Sequence, residues 1–211
     1  MKRRTFLVGC SATWLCSPAL AADSAVRRFD VLRDGDPIGS HTLSAVRTAN
    51  GFEIDIEINI AVKVLGITAY RYELANREVW KGGRLVSINS VVNDDGTDDF
   101  VKIKQAGDKL DIQGSRFTGP ASGDSVTTSY YTPQFAQRKP WISTQSGALM
   151  DIQIKPEGRE NWWHVTGELE IRLGYDNRGE WTNCEFDAGG EPGTYTLTAQ
   201  KGEIAALWAG A

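Results

Sequence analysis

Cysteine and histidine are scarce in this chain of 211 residues, which contains 3 cysteines and 2 histidines. Most soft-metal sites need more thiolate and imidazole ligands than this. The basic residues form no stripe and the formal charge is −4, which argues against nucleic acid as a partner. No apolar run after the N-terminal segment approaches the roughly 20 residues that a membrane-spanning helix needs. We therefore expect no cofactor, no metal, no nucleic acid and no transmembrane segment in the mature chain.

The first residues have the pattern of a secretory signal peptide. Residues 2–4 (Lys-Arg-Arg) are basic, residues 5–15 form a short and mostly apolar run, and residues 19–21 (Ala-Leu-Ala) supply the small side chains of a cleavage site. We predict cleavage after Ala21, a periplasmic location, and a single all-β domain over residues 22–211.

The export route stays open on sequence alone. Arg3-Arg4-Thr5-Phe6-Leu7 resembles the twin-arginine export pattern, but paired arginines also occur in leaders of the general secretory route. Leu7-Val8-Gly9-Cys10 resembles a lipidation motif. The apolar core before that cysteine is shorter than the usual 7–15 residues, which disfavours lipidation.

Removal of the leader changes both the charge and the cysteine count. It takes away three basic residues and no acid, so the formal charge falls from −4 to −7. It leaves Cys184 alone, and an intramolecular disulfide is then impossible. We interpret Cys184 as a small buried residue beside Phe186, because no local base would activate the thiol.

One long strand is evident from strict alternation of apolar and polar side chains over residues 52–64. The apolar positions are Phe52, Ile54, Ile56, Ile58, Ile60, Val62 and Val64. Because side chains alternate between the two faces of a strand, Ile56 and Ile58 should be buried and Glu57 solvated.

Turn signals divide the rest of the chain into further strands. They include Asp34-Gly35, Asn50-Gly51 and Asn93-Asp94-Asp95-Gly96. No amphipathic helix exceeds two turns, and the connections are too short for βαβ crossovers. We predict a single antiparallel meander of roughly ten strands with few short helices. Closure or near-closure into a β-barrel is favoured because it removes exposed strand edges.

Short phrases along the chain resemble a family of exported bacterial proteins, the domain of unknown function numbered 6134. They include Phe29-Asp30-Val31-Leu32, Asn76-Arg77-Glu78-Val79-Trp80, Thr128-Ser129-Tyr130-Tyr131-Thr132-Pro133 and Leu173-Gly174-Tyr175-Asp176. The family is uncharacterised. The resemblance implies export and a β fold, and it implies no reaction.

A long loop over residues 114–140 interrupts the strands and leads into the candidate binding residues. Its aromatic and neutral polar side chains suit the mouth of a barrel that recognises an acyl chain or a sugar, or else they plug one end of the core. A paired tryptophan further along the chain offers another stacking surface. The candidates are Tyr130, Tyr131, Trp141, Gln145 and Trp162.

Other polar clusters have simpler interpretations. The acids at 94–99 suit a hairpin turn better than a cation loop, because the alternating ligands and terminal glutamate of calcium loops are lacking. His41 and His164 lie near no nucleophile signature, so we assign no catalytic residue and treat both as structural.

The sequence favours a non-catalytic exported protein that binds an apolar or amphipathic ligand of the envelope. The first alternative is a protein-interaction or structural envelope protein. The second is an enzyme acting on envelope glycans or lipids with acids and tyrosines from residues 93–99 and 129–145. Possible partners are thus a lipid-like ligand, a sugar or an envelope protein.

N-terminal sequencing of the protein recovered after export checks the predicted cleavage after Ala21. We expect the chain to start at Ala22, because the small residues before it fit the peptidase. A chain that starts at Cys10 with a lipid attached would contradict a mature protein without an anchor.

Overall fold

The computed structural model describes residues 23–49 and 51–209, so the predicted signal peptide and Asn50 lie outside the described residues. Within this part the chain forms sixteen strands, a 3-10 helix and one short α-helix. The prediction of an all-β protein with few helices is confirmed. The number of strands is larger than the roughly ten that we predicted, because several strands are very short.

Eight consecutive strands form the first half of the chain. They are β1 (Ser24–Arg33), β2 (Asp36–Thr48), β3 (Gly51–Val64), β4 (Ile67–Lys81), β5 (Arg84–Asp94), β6 (Thr97–Ala106), β7 (Lys109–Gly114) and β8 (Thr118–Ser122).

The second half contains shorter strands and the two helices. Its elements are β9 (Val126–Thr127), the 3-10 helix (Pro133–Gln137), β10 (Trp141–Ile142), β11 (Leu149–Met150), β12 (Ile152–Pro156), β13 (Trp162–Gly167), β14 (Ile171–Tyr175), β15 (Trp181–Asp187), β16 (Pro192–Lys201) and α1 (Ile204–Ala209).

Thirteen strands form one antiparallel sheet in the order β12-β13-β14-β15-β16-β1-β2-β3-β4-β5-β6-β7-β8. The meander is continuous in each half, and β1 joins the halves by pairing with β16. The small sheet β11-β10-β9 is separate and contains a parallel pair, β9 with β10.

No sheet closes among the described strands, which corrects the predicted closed or nearly closed barrel. The two outer strands are β8 and β12, and residues 123–151 connect them without extending either edge. Pro120 lies in β8 and has no backbone N–H to donate to a further strand. We call residues 123–151 the plug segment, because they pack against the core instead of completing the sheet.

Strong curvature brings distant strands together although the sheet stays open. Extra residues shift the pairing register between Val31 and Leu32 and between Val79 and Trp80. Such bulges increase the local bend and twist of a strand. The sheet therefore has a concave face, which packs against the core, and a convex face, which is exposed to solvent.

The alternation in β3 is confirmed. Phe52, Ile54 and Ile56 are buried on the concave face, and Glu57 is exposed on the convex face. Ile58 is only half-buried, because the strand is by then approaching the uncovered end of the sheet.

A buried ion pair anchors the C-terminal helix to the sheet. Arg27 Nε on β1 donates to Glu180 Oε2 at 2.7 Å, and both side chains are buried. Glu180 Oε1 accepts the backbone N–H of Ala205 at 2.7 Å. One carboxylate therefore links β1, the start of β15 and the first turn of α1, and its buried charge is compensated on both oxygens.

The structure of residues 163–175 differs from what their sequence suggests. Apart from Gly167, apolar side chains recur here at every second position, a spacing typical of one continuous strand. The structure has a hairpin here, with β13 ending at Gly167 and β14 starting at Ile171. Gly167 has φ 111°, a conformation that favours glycine and permits the bend. Val165 and Ile171 pair across the hairpin and are both buried, so the inward spacing survives the turn.

Candidate functional site

One end of the concave face, the closed end, is filled with aromatic rings. Phe52 on β3 and Trp80 on β4 are fully buried there, and Tyr131 and Phe135 of the plug segment pack between them and Trp208 of α1. The ring centroids of Tyr131 and Phe135 are 5.0 Å apart, and those of Trp80 and Trp208 are 4.7 Å apart. These spacings are within the range of favourable aromatic pairs, so the closed end is solid core.

A buried glutamate fixes the plug segment to the sheet. Glu78 on β4 accepts hydrogen bonds from Ser129 Oγ at 2.5 Å, Trp80 Nε1 at 2.8 Å and Asn76 Nδ2 at 2.9 Å. Burial raises the pKa of Glu78, and the hydrogen bonds oppose that rise. The contact with Ser129 crosses from the sheet to the plug segment, so Glu78 is a tie between the two.

His41 lies in an aromatic cage halfway along the concave face. Its ring centroid is 5.2 Å from that of Trp181, 5.5 Å from that of Tyr195 and 6.3 Å from that of Phe29. Neither ring nitrogen has a hydrogen-bond partner among residues 23–49 and 51–209. Burial lowers the pKa of His41 to about 3, so the ring is neutral at ordinary pH.

The opposite end, the open end, has an apolar groove of about 450 Å³. A volume of this size is typical of small-molecule sites. Its residues come from three regions that the curved sheet brings together: the β1–β2 hairpin, the β3–β4 hairpin, and the end of β15 with the loop that follows it. The lining residues are Arg33, Ile38, Ile60, Val62, Val64, Tyr70, Phe186, Asp187, Ala188 and Gly189.

Sheet curvature makes this groove. In the sheet, β3 and β15 are separated by β2, β1 and β16, yet Ile60 and Phe186 line the same groove. Phe186 also contacts Tyr195, with ring centroids 5.7 Å apart, and Tyr195 belongs to the cage of His41. The groove wall therefore continues into the buried aromatic interior.

Polar groups are concentrated at two places on the groove. Arg33 Nε donates to the carbonyl oxygen of Ala188 at 2.8 Å, which holds the guanidinium at the rim. On the other side Tyr70 Oη donates to Asp94 Oδ1 at 2.8 Å, and Gln145 Nε2 donates to Asp94 Oδ2 at 3.1 Å. The groove thus combines apolar walls with a few fixed polar groups, which is typical of ligand sites.

Comparison with known proteins places the chain in a family. The family described as Domain of unknown function (DUF6134) matches residues 29–198. The chain belongs to this family. The resemblance seen in the sequence is thereby confirmed. No curated protein matches the chain.

A solved structure supports the fold of this DUF6134 protein. The chain is similar to a beta-barrel-like protein of the domain of unknown function DUF1849 from Brucella abortus, with a TM-score of 0.57 and 10% sequence identity. The similarity covers 87% of this chain and 99% of the other. At this identity the likeness shows the fold alone.

The structure separates the five predicted binding residues. Tyr131 and Trp141 are fully buried, and Trp141 Nε1 donates to the carbonyl oxygen of Phe135 at 3.0 Å. Tyr130 is half-buried, and its backbone carbonyl oxygen accepts from Tyr175 Oη at 2.7 Å. Its φ of 34° is uncommon for a bulky residue and is held by this packing. Gln145 alone among the five lies beside a groove residue, through Asp94 and Tyr70.

Trp162 lies away from the other candidates, on a convex surface of β13. The guanidinium carbon of Arg159 lies 3.5 Å from the centroid of its ring. Arg159 is itself held by Glu185, with Nη1 2.6 Å from Oε1. This face of the indole is therefore already occupied by a cation, which leaves it unsuited to stack on a sugar.

Sequence reasoning missed the groove residues Ile38, Ile60 and Phe186. The signal was present in β3, where the apolar alternation continues to Val64 and leads into Leu65-Gly66 at the turn. When the apolar face of a strand continues to the end of the strand, another part of the protein or a ligand must cover that end. What the sequence did not indicate is that Phe186 would face this stripe, because the two are far apart in the chain.

The remaining polar features agree with simple structural roles. Asp95-Gly96 forms the turn between β5 and β6, as predicted for the acidic segment. Cys184 is buried, and burial raises the pKa of its thiol, which keeps it protonated and unreactive. Among the described residues there is no cluster of metal-ligating side chains, and no helix there is long and apolar enough to cross a bilayer.

Substitution of the buried glutamate should change how stability depends on pH. The folded pKa of Glu78 is raised above 4.5, so folding favours its protonated form, and the stability it contributes is lost as pH rises through that folded value. We expect the free energy of unfolding of the wild type, relative to Glu78→Gln, to fall as pH increases from about 4.

Urea unfolding over a pH series measures this difference. Glu73→Gln, at an exposed position on the same strand, is the control for loss of one carboxyl group. A wild type that gains stability over Glu78→Gln as pH rises would show that the hydrogen bonds outweigh burial and that Glu78 folds in its charged form.

Proposed function

We propose that this chain is an exported, non-catalytic protein that binds an amphiphile in the groove at the open end. The observation that carries the proposal is the groove itself, whose walls are formed by Ile38, Ile60, Val62 and Phe186. Burying an alkyl chain against such walls contributes about 0.8 kcal/mol for each methylene group. The lining supports an apolar tail as the main determinant of affinity.

The charged groups at the rim favour an anionic head group. Among the described residues, Arg33 has no carboxylate partner within 4 Å, and its hydrogen bond to the carbonyl oxygen of Ala188 uses Nε alone. Asp187, which also lines the groove, uses Oδ1 to accept the backbone N–H groups of Gly189 and Gly190 at 3.1 and 3.0 Å. Arg33 therefore has guanidinium N–H groups left for a carboxylate or a phosphate.

Several contacts argue against catalysis in the groove. His41 is buried away from the rim, and His164 Nε2 lies 2.6 Å from Glu170 Oε1 on an exposed surface. The buried pair of Glu78 and Ser129 lies at the closed end and bonds the plug segment. None of these groups lies in the groove lining, so we assign the groove to binding.

A periplasmic location is part of the same proposal. It is supported by the leader pattern of residues 1–21. A bacterial envelope contains many anionic amphiphiles with acyl tails, which match the apolar wall and the arginine at the rim.

A charge placed in the groove wall should weaken binding. Ile38→Asp puts a carboxylate among apolar side chains and opposite the anionic head group, so the Kd for a dansyl-labelled fatty acid should rise at least about tenfold. The measurement is fluorescence titration of the protein with that probe.

Val46→Asp is the matched control, because Val46 lies on the same strand at an exposed position outside the groove. It should bind the probe as the wild type does. A wild-type protein with no saturable binding, or equal losses in the two variants, would contradict the proposal.

A further inference from the structure

A two-stranded arm extends beyond the sheet at the open end. Pairing of β3 with β2 ends at Ile60, and pairing of β4 with β5 ends at Tyr72. Among the described strands, residues 61–70 pair only with one another and with residue 71. Four residues of strand beyond Ile60 make the arm about 13 Å long. We call residues 61–70 the arm.

The arm carries apolar side chains that no other described residue covers. Leu65 at its tip is 99% exposed, and Ile67 is 73% exposed. Val64 pairs with Ile67 and continues the concave stripe from the groove to the tip. Isolated two-stranded ribbons are only marginally stable in water, so an exposed apolar face on one calls for a covering surface.

The turn at the tip uses a residue that the local backbone disfavours. Asp34, Leu65 and Asp95 start equivalent two-residue turns, with φ of 49°, 52° and 49°, and glycine follows each of them. Aspartate tolerates this left-handed conformation, whereas leucine is rarely found there. Leucine at the tip therefore makes the turn less stable than aspartate or asparagine would. Such a departure from local preference is expected at a position selected for function.

The charge of the arm differs from that of the rest of the protein. Between Glu57 and Glu73 the chain contains Lys63 and Arg71 and no acidic residue, whereas the mature chain as a whole is strongly acidic. Lys63 is exposed just below the tip. Arg71 at the base is exposed too, but its Nη1 lies 3.1 Å from Glu73 Oε1, so that charge is already compensated. An apolar tip with the Lys63 ammonium behind it is complementary to a lipid surface with anionic head groups.

We propose that the arm inserts its tip into the interfacial layer of an anionic bilayer. Leu65 and Ile67 then lie among the acyl chains, and Lys63 lies at the level of the head groups. Val64 and Tyr70 belong to both the arm and the groove wall, so the groove opens toward the lipid. Docking to a bilayer would bring the groove to its amphiphile, so the role of the arm rests on the proposed function. Vesicle binding itself is measured independently of ligand binding.

Flotation with vesicles tests the docking. The protein is mixed with vesicles of phosphatidylglycerol and phosphatidylcholine in equal parts, and with vesicles of phosphatidylcholine alone. We expect binding to the anionic vesicles. Leu65→Asn should weaken that partitioning at least about tenfold, because it removes a large apolar side chain from the inserted tip. Lys63→Gln should weaken it about fivefold on anionic vesicles only.

Asparagine is chosen at position 65 so that a loss of vesicle binding cannot be explained by misfolding. It creates an Asn-Gly turn, which suits the observed backbone, so the melting temperature should be unchanged or higher. Leu65→Gly is a second variant that accepts the same φ. Val91→Ser is the control, since Val91 is 56% exposed on another strand, and it should bind vesicles as the wild type does.

The outcomes separate this proposal from the proposed function. Leu65→Asn should still bind the dansyl-labelled fatty acid, and Ile38→Asp should still bind anionic vesicles. Failure of the wild type to bind vesicles, or wild-type binding by both Leu65 variants, would overturn the docking and leave the groove untouched. A dimer in analytical ultracentrifugation without lipid that Leu65→Asn dissociates would also overturn it, because a second copy would then cover the arm.

Discussion

The structure depends on one constraint: a thirteen-stranded antiparallel sheet has a single apolar concave face, and that face must be covered. The plug segment and α1 cover it at the closed end, where Trp80 and Trp208 are in contact. Glu78 bonds the plug segment to β4 through Ser129, so this cover is fixed in position by a buried polar tie as well as by packing. No comparable segment lies over the open end in the described part of the chain, and that asymmetry produces the groove.

A single strand shows how the same sequence pattern serves both ends. Phe52 and Ile56 in β3 are buried under the plug segment, whereas Val62 lines the groove and Val64 is largely exposed. The alternation is unchanged along the strand, and only the covering changes. Burial in this protein is thus decided by where the plug segment ends, and the apolar stripe beyond that point is available to a ligand or a surface.

Features that depend on neighbouring residues could be predicted from the sequence. The alternation of β3 and the turns at Asp34-Gly35 and Asp95-Gly96 are local, because side-chain parity and φ > 0 are set by a few adjacent residues. The 3-10 helix at Pro133–Gln137 is local in the same way, because proline stands in its first turn and the Thr132 side chain accepts the backbone N–H of Gln134. These local signals were sufficient for the class of fold and for an antiparallel meander.

Features that depend on distant contacts could not be predicted in the same way. The open sheet follows from the inward path of the plug segment, which the tie from Glu78 to Ser129 fixes across 51 positions in the chain. Local sequence left Tyr131 and Trp141 open between ligand contacts and a plug for one end of the core, and only their fully buried positions at the closed end decide between the two. His41 is buried in its aromatic cage, and no local pattern indicates that both its ring nitrogens lack a hydrogen-bond partner in the described part of the chain.

The central claim is that an amphiphile enters the groove at the open end. Methyl NMR of protein labelled at isoleucine and valine, titrated with dodecanoate below its micelle concentration, tests it most directly. We expect saturable shifts for Ile38, Ile60 and Val62 in the groove, with little change for the buried Ile103 or the convex Val91. Saturable shifts confined to the convex face, or no shifts at all, would contradict it.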